Sequence, residues 1–189
     1  MSTSLYSAFV SKVSNTPGVG FLGLGLASSS FFFFGNIANF LVVLLPATTK
    51  GRDHKNAGEV IKQWVALYRN GVRCFVPSSV IGTLSFLAAG LLSESPTPGS
   101  PGLRPLLFAA AAVAVIPFPW TVLTMLPINN RLLALHDRFW SGDEQVQLPG
   151  EVEEKEALQL VEKWRKLHLF RIAVGFLTWE LAVVAAFLA

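Results

Sequence analysis

Charged residues divide this chain into long apolar blocks. None lies between Lys12 and Lys50, between Arg73 and Glu94, or between Arg104 and Arg131, and the stretch from Ile172 to Ala189 is broken only by Glu180. A helix needs about 20 apolar residues to cross the hydrocarbon core of a bilayer. The pattern therefore predicts four membrane helices, at 20–45, 72–92, 106–126 and 169–189. Runs such as Phe31-Phe32-Phe33-Phe34 and Ala109-Ala110-Ala111-Ala112 lack the alternation of an outer-membrane strand and fit helices. Between the third and fourth blocks, Pro149-Gly150 punctuates the chain and a further helix is predicted over 151–166. Its glutamates fall in the first turns and its Lys and Arg at the end, complementing the helix dipole. The pairs Glu151/Lys155 and Glu162/Lys166 are four apart in the favourable order. Leu158, Val161 and Trp164 share one side, so this amphipathic helix is expected to lie at the membrane interface and run into the fourth span. The predicted fold class is all-α: an integral membrane four-helix bundle with an interfacial amphipathic helix before the last transmembrane helix, forming a single domain over 1–189.

Composition agrees with that picture and narrows the partners. Of the 189 residues, 52% are hydrophobic and 14% charged, where a soluble domain carries about 25% charged residues. A water-soluble globule is excluded, and so is a disordered chain, which needs low hydrophobicity and high charge. The net charge of +3 is small and scattered, so the expected partner is the lipid bilayer and not a nucleic acid. The single cysteine, Cys74, leaves no internal disulfide to form. A cleavable signal peptide fits poorly, because the first apolar block far exceeds the 7–15 residues of a signal core. Lys and Arg are concentrated in the first loop (Lys50, Arg52, Lys55, Lys62, Arg69) and the third (Arg131, Arg138, Lys155, Lys163, Arg165, Lys166). By the positive-inside rule both loops face the cytosol, and the Pro/Gly/Ser connector at 93–102 faces the lumen with both termini. In a eukaryotic source the expected address is the endoplasmic reticulum or vesicles derived from it.

Polar residues at membrane depth are costly without partners and so mark candidate sites. In the first block Ser29, Asn36 and Asn39 share a helical face. They lock the bundle by interhelical hydrogen bonds or form the polar wall of a pocket. Gly18, Gly20, Gly23 and Gly25 permit close helix packing; no Lys-Ser/Thr follows them, which excludes a phosphate-binding loop. Trp64 and Tyr68, followed by Arg69 and Arg73, read as an aromatic belt with basic flanks. Pro117, Pro119 and Pro127 interrupt the third block around Trp120, and the backbone groups they free need partners. Asn129, Asn130, Arg131 and His136 follow; Asn129 and His136, seven apart, share a face if the helix continues.

The sharpest constellation opens the fourth span. Trp164, His168, Arg171 and Gly175 advance in steps of four, three and four and so form one stripe carrying an indole, an imidazole and a guanidinium. An interfacial Trp–Arg anchor explains two of them. Histidine, the natural proton acceptor near neutral pH, makes the stripe a candidate catalytic site. Glu180 lies deeper and on another face, as a functional acid or the partner of a buried cation. His54, His136 and His168 fall on one predicted side, but no short metal-ligand spacing links them. No Gly-x-Ser-x-Gly elbow is present to suggest hydrolysis.

Three motifs in order, Leu67-Tyr68-Arg69-Asn70-Gly71, Pro127-Ile128-Asn129-Asn130-Arg131-Leu132 and Trp164-x-x-x-His168-x-x-Arg171, resemble those of the anthrone oxygenases, small four-helix membrane proteins of fungal aromatic polyketide pathways with bacterial relatives. The resemblance spans nearly the whole chain. It implies oxidation of the C10 methylene of an anthrone to the ketone of an anthraquinone, with O2 as co-substrate, no cofactor and a hydrophobic polycyclic aromatic substrate. Such chemistry needs a base, a cation for the resulting anion and a dry aromatic pocket. His168 is the expected base, with His136 as alternate. Arg171 and Arg131 would hold the oxyanion and Asn129 and Asn130 would donate hydrogen bonds. Trp120 and Trp164 would stack on the tricycle, and Asn36, Tyr68 and Glu180 would complete the substrate site. Other classes stay open: an oxidase using the histidines as ligands of haem or copper, and a non-enzymatic membrane assembly protein. A transporter is disfavoured, because four helices without an evident repeat are few for one.

Overall fold

The computed structural model describes Ser7 and residues 16–44, 57–93, 102–140 and 150–189. The basic residues Lys12, Lys50, Arg52 and Lys55, together with His54 and most of the Pro-rich connector, lie outside these. The described chain runs through α1 (Pro17–Asn39), which widens into a π-helical turn at Phe40–Leu44, and α2 (Ala57–Leu92). Then come α3 (Leu103–Val115), the short α4 (Pro117–Trp120), a second π turn at Thr121–Met125, α5 (Leu126–Trp140) and α6 (Glu151–Leu188). Four helical stretches among the described residues are long and apolar enough to cross a membrane: Pro17–Val42, Ala57–Leu92, Leu103–Trp140 and Glu151–Leu188. The protein is an all-α, multi-pass membrane protein.

Each of the last three stretches extends beyond its uncharged window, for a common reason. Ala57, Val60, Ile61, Trp64 and Val65 in α2 are buried at helical spacing, as are Ile128, Asn129, Leu132 and Leu135 in α5, and Ala157, Val161, Trp164 and His168 in α6. Charges occupy the opposite faces, so a search for uncharged spans stops where an amphipathic helix continues. The stretch at 151–166 is one helix with the fourth span, since no proline or glycine interrupts 151–174. Its apolar face does not lie on a membrane surface as expected. Val161 and Trp164 pack into a protein core with Trp64, Leu132 and Leu135.

Contacts divide the chain into two units. The first comprises the described residues of Met1–Phe33, with Phe75–Ile116 and Val174–Ala189. Its interior is built from small side chains, Ala89, Ala110, Ala111, Ala114, Ala182 and Ala185, around Leu22, Phe86 and Leu107. Its outer faces expose Leu24, Val80, Leu84, Leu91 and Phe187. Small residues inside and large apolar ones outside are the arrangement of helices that meet lipid. A Cβ on Gly25 would stand 2.5 Å from the Phe86 ring, so this glycine permits the close approach; one on Gly18 would make only ordinary contact, 3.5 Å from the Ala89 carbonyl oxygen, and Gly23 faces open space. Interhelical hydrogen bonds here come from α2, where Ser79 donates to the Ala114 carbonyl of α3 at 3.1 Å. Ser29 donates to Leu26 of its own helix, whereas Ser78 crosses from α2 to the Ser28 carbonyl at 2.8 Å. Phe32 and Phe33 are buried and Phe31 is exposed. Arg104 caps the end of α2 through the Gly90 and Leu91 carbonyls, where a cation suits the dipole.

The second unit comprises Phe34–Cys74 and Pro117–Ala173. Proline breaks give it its shape. Pro117, Pro119 and Pro127 lack an N–H and would clash with the preceding turn of a regular α-helix. Thr121 and Thr124 turn their hydroxyls onto the Pro117 and Trp120 carbonyls at 2.7 and 2.6 Å. The Leu126 N–H reaches back to the Thr121 carbonyl. The resulting π turn ends at Met125, two residues before Pro127. Large side chains fill the core of this unit: Trp64, Trp164, Met125, Leu132, Leu135, Ile61 and Val161.

The glycine contacts give a paired test. Gly25→Ala is expected to destabilise the protein by about 1–3 kcal/mol through overpacking against Phe86. Gly23→Ala should be neutral or slightly stabilising, because alanine is the better helix former. Thermal unfolding of the detergent-purified variants checks both.

Candidate functional site

Helical spacing places a row of rings through the second unit. The Tyr68 and Trp64 rings, one turn apart on α2, stack nearly parallel with centroids 5.2 Å apart and planes at 7°. Trp164 of α6 meets Trp64 edge to face at 6.0 Å and 87°. One turn further along α6, the His168 imidazole stacks on Trp164 at 4.7 Å and 13°. The row is pinned by a buried hydrogen bond of 2.8 Å, in which the Trp164 indole N–H donates to the side-chain oxygen of Asn129 on α5. Trp120, on the proline-broken stretch, packs against Phe170 with ring centroids 4.1 Å apart.

His168 is 3% exposed. Neither ring nitrogen makes a hydrogen bond of ordinary geometry, although the Asn36 main chain approaches the ring and the Arg171 guanidinium is near enough to act on it electrostatically. The indole nitrogens of Trp64 and Trp120 are likewise buried without a partner among the described residues. Buried polar groups are nearly always hydrogen-bonded, and each left unmade costs about 1–3 kcal/mol. Four such nitrogens belong to side chains in or beside one aromatic core. Asn36 is fully buried in the same unit, and Arg171 is partly buried.

Of the expected site residues, His168, Trp164, Asn129 and Asn36 are buried in this unit and Tyr68, Trp120 and Arg171 are partly buried in it, whereas the remaining candidates lie nearer its surface or in the first unit. Arg131 is exposed and engages Glu156 of α6 through two contacts of 2.7 Å, beside a second pair between Arg138 and Glu153. These pairs tie α5 to α6 on the surface. Asn130 is exposed. His136 is half-buried, with Nδ1 3.2 Å from the Asp137 carboxylate. Glu180 is partly buried and belongs to the first unit. Among the described residues no group of three or more His, Cys, Asp or Glu is arranged to hold a metal ion. Two bland readings are overturned. Trp64 is no belt residue and Trp164 no interfacial anchor, since they are 1% and 2% exposed and belong to the core. Trp64 was absent from the expected site. Its place on the buried 57/60/61/64/65 stripe was the available signal, hidden by the charges of the flanking face.

The helices also mark the depth of the site. On α6 the exposed residues change from Lys163 and Lys166 to Leu169 and Phe170, with His168 at the change. On the third stretch they change from Leu123 and Leu126 to Asn130 and Arg131, with Asn129 at the change. The site therefore stands where the protein's own surface passes from apolar to charged.

Fold and site define a multi-pass α-helical membrane protein with a buried aromatic site carrying a histidine. The chain belongs to the anthrone oxygenase family, whose model matches residues 64–179, and it is thereby an oxidoreductase. It is 29% identical to the anthrone oxygenase nsrD of Aspergillus novofumigatus over 144 residues, 76% of this chain and 79% of that protein. It is 27% identical to the anthrone oxygenase tpcL of Aspergillus fumigatus over 115 residues, 61% of this chain and 63% of that protein. No solved structure matches.

The Asn129–Trp164 bond can be weighed by a double-mutant cycle. Asn129→Leu leaves a buried indole donor unpaired and is expected to cost about 1–3 kcal/mol. Adding Trp164→Phe, which removes that donor, should recover part of the loss, so the two changes are non-additive. Thermal unfolding of both single variants and the pair measures the coupling.

Proposed function

We propose that this protein is a membrane-bound anthrone oxygenase that converts the C10 methylene of a polyketide anthrone to the ketone of an anthraquinone with O2 and no cofactor. The carrying observation is the buried imidazole of His168, stacked on Trp164 with neither nitrogen in a hydrogen bond of ordinary geometry among the described residues, near Arg171. Family membership supports the reaction class.

The C10 protons of an anthrone are acidic because their loss gives a delocalised anion that is a phenolate at the C9 oxygen. His168 takes one C10 proton as general base. Arg171 supplies the countercharge, in a water-poor setting where fixed charges act strongly. The anion transfers one electron to O2, giving an anthrone radical and superoxide. These combine to form a C10–O bond, and the imidazolium returns its proton to the terminal oxygen. Loss of the second C10 proton with cleavage of the O–O bond releases water and leaves the ketone. The rings of Trp164 and Trp120 hold the flat tricycle. Arg131, held by Glu156, steadies α5 against α6 and takes no part in the chemistry.

An apolar substrate dissolved in lipid reaches a site at the apolar-to-charged change without crossing water. We place the protein in the endoplasmic reticulum or vesicles derived from it, with the first and third loops in the cytosol; the charges of those loops support this orientation.

Oxygen uptake by detergent-purified protein given an anthrone tests the proposal, with spontaneous oxidation subtracted. His168→Ala is expected to lower the enzyme-dependent rate by about a hundredfold or more, the ordinary contribution of a general base. The rate should be indifferent to chelators. Equal rates for wild type and variant would remove His168 as the base. Loss of the wild-type rate in chelator would make the histidines metal ligands.

A further inference from the structure

Trp64 has a buried polar atom without a hydrogen-bond partner among the described residues. Its ring is fixed on two sides, flat against Tyr68 and edge-on to Trp164, so it cannot turn to find an acceptor. The residue is 1% exposed and its indole N–H is buried with no partner. An indole nitrogen is a donor only, and a buried one usually finds an acceptor. Trp164, in the same core, does so at Asn129. Phenylalanine at position 64 would keep an aromatic ring there and leave no unmet donor. The presence of the N–H is therefore explained by an acceptor oxygen that arrives with a ligand.

Its position relative to His168 says which oxygen. Trp64 contacts Trp164, and Trp164 stacks on His168, so one indole separates the donor from the base. Resting on the reaction proposed above, the base works at C10 and negative charge collects on the oxygen at C9, across the same central ring. A donor one ring removed from the base is thus suited to that oxygen. We infer that the Trp64 indole N–H donates a hydrogen bond to the C9 oxygen of the bound anthrone and holds the phenolate formed when C10 is deprotonated. A hydrogen bond to a charged oxygen is stronger than one to a neutral carbonyl. The contact therefore favours the anion over the ground state and acts on kcat more than on KM.

The test compares wild type with Trp64→Phe, and with a protein carrying 3-benzothienylalanine at position 64, which keeps both fused rings and replaces N–H by sulfur. Oxygen uptake with anthrone should show kcat lowered about tenfold in both variants, with KM within about twofold, on the scale of one lost oxyanion donor or somewhat less. Thermal stabilisation by anthraquinone, which has the oxygen, should shrink in both variants, while stabilisation by anthracene, which lacks it, should match wild type. Agreement between the two variants separates loss of the N–H from loss of packing. Wild-type kcat in the benzothienyl protein, with an undiminished anthraquinone shift, overturns the inference and leaves the oxygenase reading intact. A wild-type protein that neither consumes O2 with anthrone nor is stabilised by anthraquinone overturns both.

Discussion

The hydrogen bond from Trp164 to Asn129 sets the geometry on which the site depends. It fixes the rotation of an indole that has Trp64 at one contact and His168 at another, and it does so between α5 and α6. Apolar packing alone is tolerant of small ring rotations, since dispersion changes little with angle. A buried hydrogen bond is directional and costly to leave unmade. Asn129 thus turns a loose aromatic cluster into an oriented one, and the imidazole inherits that orientation through its stack on Trp164.

Two kinds of interior serve two solvents within one chain. The first unit packs alanine and glycine inside and exposes large apolar side chains, because lipid offers no hydrophobic drive for helices to associate and close approach must supply it. The second buries tryptophans, leucines and a methionine and exposes charges over much of its surface, as a soluble core does. The aromatic residues with unmet nitrogens fall in that second interior. Proline breaks and π turns fall there too, and hydroxyls of Thr121 and Thr124 answer the carbonyls of the broken turns. Irregular backbone at membrane depth is tolerated only where protein or a cavity surrounds it.

Unsatisfied buried nitrogens are a cost in the free protein and a means of recognition once a ligand enters. His168, Trp64 and Trp120 together leave four of them. In the proposed reaction a planar substrate with oxygens at its edge would stack on the rings and accept from the indoles, while the imidazole moves a proton. Groups fixed in advance need no reorganisation as charge develops, which is the physical basis of electrostatic catalysis. The surface pairs Arg131–Glu156 and Arg138–Glu153 work differently: they lie in water, contribute little to stability, and hold α5 and α6 in register behind the site.

Some of this was fixed by local chemistry and therefore readable along the chain. Uncharged blocks of spanning length dictate membrane helices whatever surrounds them, because backbone polar groups in lipid must be satisfied internally. The stripe Trp164, His168, Arg171 follows from helical period alone. Three short motifs around Tyr68, Asn129 and His168 were enough to name the family. What periodicity cannot say is what lies opposite a buried face. Arg131 and Arg171 look alike as cations near a helix end, yet Glu156 claims the first where α5 packs on α6, while the second is partly buried and acts electrostatically on His168. The same holds for tryptophan, whose amphipathic ring suits a membrane interface and a core equally. Trp64 and Trp164 became core residues when amphipathic extensions from three helices brought their apolar faces together, and that meeting of faces is a property of the tertiary structure.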